Sequence, residues 1–277
     1  MNTLKSTVLL AGLTGLMLVV GAVLGGRGGM TFALIVAAVM NFTAYFFSDK
    51  IVLRAYRARP VGPNEAPGLY DVVARLAAKA DMPMPRLYVI PDPALNAFAT
   101  GRSPAHAAVA ATEGILRALS PEELEGVLAH ELSHVRNRDT LTSTVAATLA
   151  GAITWLAHPF MMMGGSRRRD DAPNPLLALV VMLLAPLVAA LIKLAISRSR
   201  EYEADASGAR LVGYPHGLVG ALRKLQQAKE VVPLRDADPA TAHMFIVNPL
   251  SGGGLASLLA THPPLEERIR RLLAQNG

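Results

Sequence analysis

The stretch VLAHELSHVRNRD, residues 127–139, decides how the rest of the chain is read. It sets His130 and His134 four positions apart, with Glu131 beside the first. A helix is predicted here on grounds that owe nothing to the histidines. Ser120-Pro121-Glu122-Glu123 spells a capping box with proline at the first helical position. Leu124, Val127, Leu128, Leu132 and Val135 then recur at helical spacing. On that helix the two histidines share one face, and Glu131 is rotated by about a third of a turn from His130. Two imidazoles can hold one metal ion from there while the carboxylate flanks it without ligating. Metal-dependent hydrolysis needs that division of labour: neutral donors on the ion, an open position for water, and a base for the water's proton. The competing reading is a solvated polar helix face. Against it, Leu128, Ala129, Leu132 and Val135 surround the pair, and buried histidines without partners are costly. Three fixed positions arise by chance, so the rest of the chain must supply a third ligand and a compartment.

With no cysteine among 277 residues, that ligand has to be His, Asp or Glu. SRSREYEADASG, residues 197–208, offers Glu201, Glu203 and Asp205. Glu201 and Asp205 share a helical face, and Glu203 points nearly away from them. The pair suits a ligand (Glu201) and a carboxylate that accepts the other N–H of a ligand histidine (Asp205). Spacing alone equally allows an ordinary charged helix end, with Arg198 and Arg200 pairing against Glu201 or Asp205.

The composition points to a membrane. Hydrophobic residues make up 52% of the chain and charged ones 17%, and the apolar excess is gathered in runs. Residues 4–24 and 30–47 each approach the length needed to span a bilayer, with GGRGG between them as a tight turn. A cleaved signal peptide fits the first run less well, because its apolar core is long and a second span follows at once. Residues 141–163 and 175–196 form the third and fourth runs. The third is dotted with polar residues, and Pro186 should kink the fourth. A buried hairpin of a soluble domain is the alternative for these two.

The net charge of +6 is carried mostly beside the apolar runs, which suits a membrane face rather than nucleic acid. Lys50, Arg54, Arg57 and Arg59 follow the second run, placing the large polar segments in the cytoplasm. Arg167, Arg168 and Arg169 in the last loop vote the other way. The chain therefore divides into a two-span hairpin (1–50), a first catalytic segment (51–140), a second two-span hairpin (141–197) and a second catalytic segment (198–277). Two crossings return the chain to the side it left, so both catalytic segments can build one site. Within them, a helix is predicted over 68–81, a strand over 86–90, and two short strands over 95–100 and 107–111 around GRSP.

At this point the sequence resembles the HtpX-type membrane metalloproteases, relatives of the CAAX prenyl proteases. The likeness is carried, in order, by two N-terminal spans, LNAFATG (95–101), HELSHVRNRD (130–139), two further spans, REYEAD (200–205) and THPPLEER (261–268). The resemblance implies a mainly α protein with a small β-sheet: four membrane spans and a zincin-like, gluzincin catalytic domain. It implies one Zn²⁺ per chain on His130, His134 and Glu201, Glu131 as general base, and Asp205 orienting a ligand histidine. It further implies that Asn96, Ala97, Phe98 and Ala99 form an edge strand along which an extended peptide pairs, in keeping with the general use of strand edges in peptide recognition. His262 would stabilise the oxyanion and Arg268 would partner the site. Asn137 falls on the histidine face and is a candidate second-layer residue.

The activity that the resemblance implies is zinc-dependent endoproteolysis of damaged or misassembled membrane proteins at the cytosolic face of the inner membrane. Partners would then be polypeptides and the lipid bilayer, not nucleic acid. Three rivals remain. One is a prenyl-protein-processing protease, for which four spans are few. Another is a zinc-bearing scaffold with its water position closed, against which Glu131 argues. The last is a transporter, against which the capped amphipathic helix at 121–138 argues.

Overall fold

The computed structural model describes residues 2–149, 198–229, 246 and 263–274. The chain opens with α1 (Asn2–Ala55), broken at Gly25 and at Gly26, whose φ of 55° glycine adopts without strain. The break folds α1 back on itself. Gly21 and Gly29 lie so close that a Cβ on Gly21 would sit 2.5 Å from the Gly29 carbonyl oxygen. Further along, the Asn41 amide donates to the Leu10 carbonyl (3.2 Å) and to Thr14 Oγ1 (2.9 Å). The GGRGG turn is thus present, and the one strongly polar residue of the second run fastens the two arms together. Residues 25–55 are long and apolar enough to cross a membrane, and only 17% of their most apolar stretch is buried.

After α1 come β1 (Arg59–Val61), α2 (Pro67–Lys79), β2 (Arg86–Ile90), β3 (Ala97–Thr100), β4 (Ala108–Thr112), α3 (Glu113–Ala118), α4 (Pro121–Arg136) and a helix α5 over 139–149. Beyond 197 follow α6 (Arg198–Val212), α7 (His216–Lys229) and α8 (Leu265–Ala274). The four strands form one mixed sheet in the order β1-β2-β4-β3. β2 and β4 run parallel, with Tyr88 opposite Ala110, while β1 and β3 pair antiparallel to their neighbours. The sheet is therefore small and mixed, and the helices predominate.

β4 is buried along its whole length, and its alternation sorts two cores. Val109 and Ala111 face Val73 and Leu76 of α2, Leu128 and Leu132 of α4, and Leu222 of α7. Ala108 and Ala110 face Val52 and Tyr56 at the end of α1 and Ala147 of α5. A third cluster packs Leu141, Val145 and Leu149 of α5 against Leu13 and Ala44 of α1. The sheet thus has the metal-motif helix on one side and the apolar helices on the other. The predicted helix at 68–81 and strand at 86–90 are present, and the two later strands begin one or two residues further on. β1 was not predicted: Arg-Pro-Val is too short to show alternation. Residues 150–197, which hold most of the third run and all of the fourth, lie outside the described residues, as does His262.

Candidate metal centre and active site

The helix that carries the motif begins as its sequence dictates. Ser120 Oγ accepts from the Glu123 N–H (3.3 Å), and the Glu123 carboxylate accepts from the Ser120 N–H (2.8 Å), so the capping box closes. The helix runs to Arg136 and stops at Asn137. Next, α6 is laid against it at Gly208, where a Cβ would lie 2.9 Å from the His130 backbone nitrogen. This close crossing of α4 and α6 brings Glu201 and Asp205 up to the histidine face.

His130 Nε2 and His134 Nε2 lie 3.2 Å apart. Glu201 Oε2 is 3.8 Å from the first and Oε1 is 3.4 Å from the second. One donor atom from each of the three residues thus falls within 4.8 Å of the others, and all three side chains are largely buried. Two imidazoles and one carboxylate match the borderline-soft N/O donor set that suits zinc, and three protein donors leave a fourth position open. The remaining ring nitrogens fix the tautomers. His130 Nδ1 is 2.9 Å from Asp205 Oδ1, and His134 Nδ1 is 3.1 Å from Asp139 Oδ2. With each Nδ1–H donated to a carboxylate, each ring in its neutral form presents the Nε2 lone pair inward to a metal.

Each of those carboxylates is in turn held by an arginine. Fully buried Arg268, on α8, grips Asp205 with two parallel bonds, Nε to Oδ2 (2.8 Å) and Nη2 to Oδ1 (2.7 Å). Arg200, next to Glu201, donates from Nη1 to Asp139 Oδ1 at 3.3 Å. The Arg200 of the rival sequence reading thus reaches Asp139, a carboxylate that reading did not consider. Glu203 is exposed, as its place on the helix requires. Asn137 caps α4 and borders a cleft with Ser133 and Arg136, while the carboxylate on His134 comes from Asp139 two residues later.

Asp139 was missed from sequence because the face argument ends with the helix, and Arg200 was weighed only as a partner of Glu201 or Asp205. Arg138 takes a φ of 58°, and this reversal swings Asp139 back onto His134. The signal that could have found Asp139 is its place as the last residue of the HELSHVRNRD stretch.

Burial and charge set the protonation of the metal-free site. Desolvation holds the His130 ring below its ordinary pKa, although its bond to Asp205 works the other way. Desolvation raises the Glu131 carboxyl to about 7. For His134 burial also opposes charging, but Asp139, Glu201 and Glu131 outweigh it and raise the ring to about 9. Asp205 is likewise penalised by burial, and Arg268 overrides that, pulling it down to about 2.

The strand expected to receive substrate lies directly beside this site. β3 is an edge strand of the sheet, as expected, yet Ala97, Phe98 and Ala99 are buried. Its outer edge is engaged by the chain itself: the Ile246 N–H donates to the Ala97 carbonyl (3.3 Å), and the Ala99 N–H donates to Glu131 Oε2 (2.9 Å). Asn96 sits at the start of the strand, its side-chain oxygen accepting from the Ala97 N–H at 3.2 Å.

Comparison with known proteins agrees with this geometry. The profile described as Peptidase family M48 matches residues 63–276. The chain is 56% identical over 276 residues to a protein named Protease HtpX homolog from Syntrophotalea carbinolica, covering 98% of each chain. It is 55% identical over 278 residues to the protein of the same name from Desulfatibacillum aliphaticivorans, covering 98% of this chain and 89% of that one. Among solved structures, Ste24p of S. mikatae shares the fold with a TM-score of 0.56 at 20% identity, over 98% of this chain and 64% of that one. With its two histidines and glutamate converging on a zinc position beside an edge strand, the chain belongs to peptidase family M48 and is an HtpX-type zinc metallopeptidase.

Proposed function

We propose that the protein is a membrane-embedded endopeptidase that cuts damaged or misassembled membrane proteins in segments exposed to the cytoplasm. The observation that carries this reading is the bond from the Ala99 N–H to Glu131 Oε2 at 2.9 Å, which joins the candidate base to the strand expected to bind peptide. An extended substrate would pair along Asn96–Ala99, taking over the Ala97 carbonyl and the Ala99 N–H. Glu131 is thereby freed to accept the proton of the attacking water and to pass it to the leaving amine. His130, His134 and Glu201 hold the metal, and Asp205 and Asp139 hold the rings in place. Bound there, Zn²⁺ supplies a Lewis acid that acidifies water and polarises the scissile carbonyl. His262 is assigned to the oxyanion and Arg268 to the support of Asp205.

The membrane assignment rests on the apolar hairpin of α1 and on the runs 141–163 and 175–196, read as four spans with both catalytic segments on the cytoplasmic side. The test compares detergent-purified wild type with Glu131→Gln for zinc content and casein cleavage. One zinc in both with cleavage in wild type alone is the expected result. Loss of zinc in the variant would refute the role given to Glu131. Zinc in both with no cleavage of casein or of any membrane-protein substrate would replace the protease by a closed zinc scaffold.

A further inference from the structure

Where α1 meets the catalytic domain there is a cavity of about 470 Å³ that plays no part in the chemistry above. One wall is aromatic: Phe42, Phe46 and Phe47 of α1, each at least 40% exposed. The lining is also basic, with Lys50 on the same helix just past the apolar run, Arg86 at the start of β2 and Arg102 in the turn between β3 and β4. Arg86 is neutralised by Asp49 at 2.6 Å. The other two cations have no carboxylate partner, although Arg102 Nη2 lies 2.8 Å from His106 Nε2, a neutral acceptor that leaves its charge uncompensated. Lys50 lies 5.3 Å from the Phe47 ring centre and Arg102 lies 5.1 Å from that of Phe46, and among the described residues neither is paired with a carboxylate.

The depth of this cavity follows from helix geometry. Phe46 is twenty residues beyond the Gly26 turn, which at 1.5 Å per residue is about 30 Å, the thickness of a bilayer's hydrocarbon core. On the membrane reading above, the aromatic wall ends at the acyl boundary and the cations lie at headgroup level.

We propose that this cavity binds an anionic phospholipid, with the phosphate between Lys50 and Arg102 and the first acyl carbons against Phe42 and Phe46. The match is one of charge and shape. The site is apolar towards the bilayer, carries two uncompensated positive charges at the surface, and is built from two elements that a lipid would bridge. Because Arg102 belongs to the β3–β4 turn, the bound lipid ties the substrate strand to the membrane surface.

The inference rests on the membrane reading, and the experiment separates the two. Delipidated full-length protein is reconstituted into vesicles, and extraction at alkaline pH is scored first. Release from the vesicles would overturn the spanning assignment and the lipid site with it. Retained protein is then assayed with labelled phosphatidylglycerol and phosphatidylcholine. Preference for phosphatidylglycerol is expected, falling about fivefold for each of Lys50→Gln and Arg102→Gln and little for Arg54→Gln, a cation outside the cavity. Unchanged zinc content in the variants shows that they fold. Equal retention of the two lipids overturns the proposal, as does an equal loss in Arg54→Gln. Competition by soluble glycerol phosphate as strong as by the lipid would also overturn it, leaving a simple anion site.

Discussion

Replacing Asp139 by Asn tests whether that carboxylate holds the second ligand in register. In the structure its Oδ2 accepts from His134 Nδ1 at 3.1 Å and its Oδ1 from Arg200 Nη1 at 3.3 Å. An amide of the same shape has only one acceptor oxygen, so one of the two donors must face an NH₂ group. The loss is about one hydrogen bond to a charged group, roughly 1.5–3 kcal/mol. Carried into the metal equilibrium, that is about 10- to 100-fold in zinc affinity, the usual penalty for removing a group that orients a ligand. A second effect opposes it. Asp139 is the leading cause that raises the His134 ring, and a ring raised to about 9 must shed its proton before it can ligate. Removing the carboxylate eases that competition below pH 9 and leaves only the geometric loss above it. The assay is zinc competition against a fluorescent chelator at pH 7 and at pH 9.5, with folding checked by circular dichroism. The variant should bind weakly at pH 9.5 and lie closer to wild type at pH 7. Affinity at pH 9.5 within about twofold of wild type would refute the positioning role, given the expected penalty. A larger deficit at pH 7 than at pH 9.5 would refute the proton competition.

Glu201→Gln should lose most of its zinc, whereas Glu203→Gln, altered on the exposed side of the same helix, should keep it; the reverse pattern in a metal assay would overturn the ligand assignment. Gly208→Val should push α6 away from α4, because even a Cβ there meets the His130 backbone nitrogen at 2.9 Å. Overpacking of this kind costs about 1–3 kcal/mol, so both a lower melting temperature and weaker zinc binding are expected, and an unchanged melting temperature would show that the crossing yields without strain.

How much of this was legible in the sequence depends on the range of the signals. The capping box and the spacing of Val127, Leu128 and Leu132 are local, and they place α4 and its histidine face correctly. Glu201 and Asp205 were visible as a pair on one helical face, but only the fold shows that this face meets α4, through the close approach at Gly208. Arg268 was placed at the site only by the family resemblance, since local pattern alone reads it as a surface charge; the fold buries it fully against Asp205. Asp139 lies beyond the helix end, where periodicity says nothing. The exposed edge strand was half right. Order in the sheet makes β3 an edge, while its side chains are buried in the cores on both faces and its outer backbone groups bond to Ile246 and Glu131, contacts of long sequence separation that no local pattern encodes.

The charges buried around the site explain its protonation as a unit. Glu131, Asp139, Glu201 and Asp205 are four buried carboxylates, and Arg200 and Arg268 are two buried guanidiniums. Among the described residues, with both imidazoles neutral, two negative charges are left over, which is the amount one Zn²⁺ cancels. Without the metal, protons on these same groups cancel that excess. The groups nearest the donor triangle are raised in accordance with that need, His134 to about 9 and Glu131 to about 7. Below pH 7 the metal-free site therefore carries both protons, between 7 and 9 mainly the one on His134, and above 9 neither. Zinc binding should release about two protons near pH 6, about one near pH 8 and almost none near pH 10, since a ligand ring must be deprotonated and a divalent charge favours ionised Glu131. Calorimetry in buffers of different ionisation enthalpy reads this number directly. Release of a single proton at pH 6 would mean that Glu131 is already ionised beside Glu201 without metal. The site would then tolerate a net buried charge, and the arginines behind the two aspartates would no longer account for the balance.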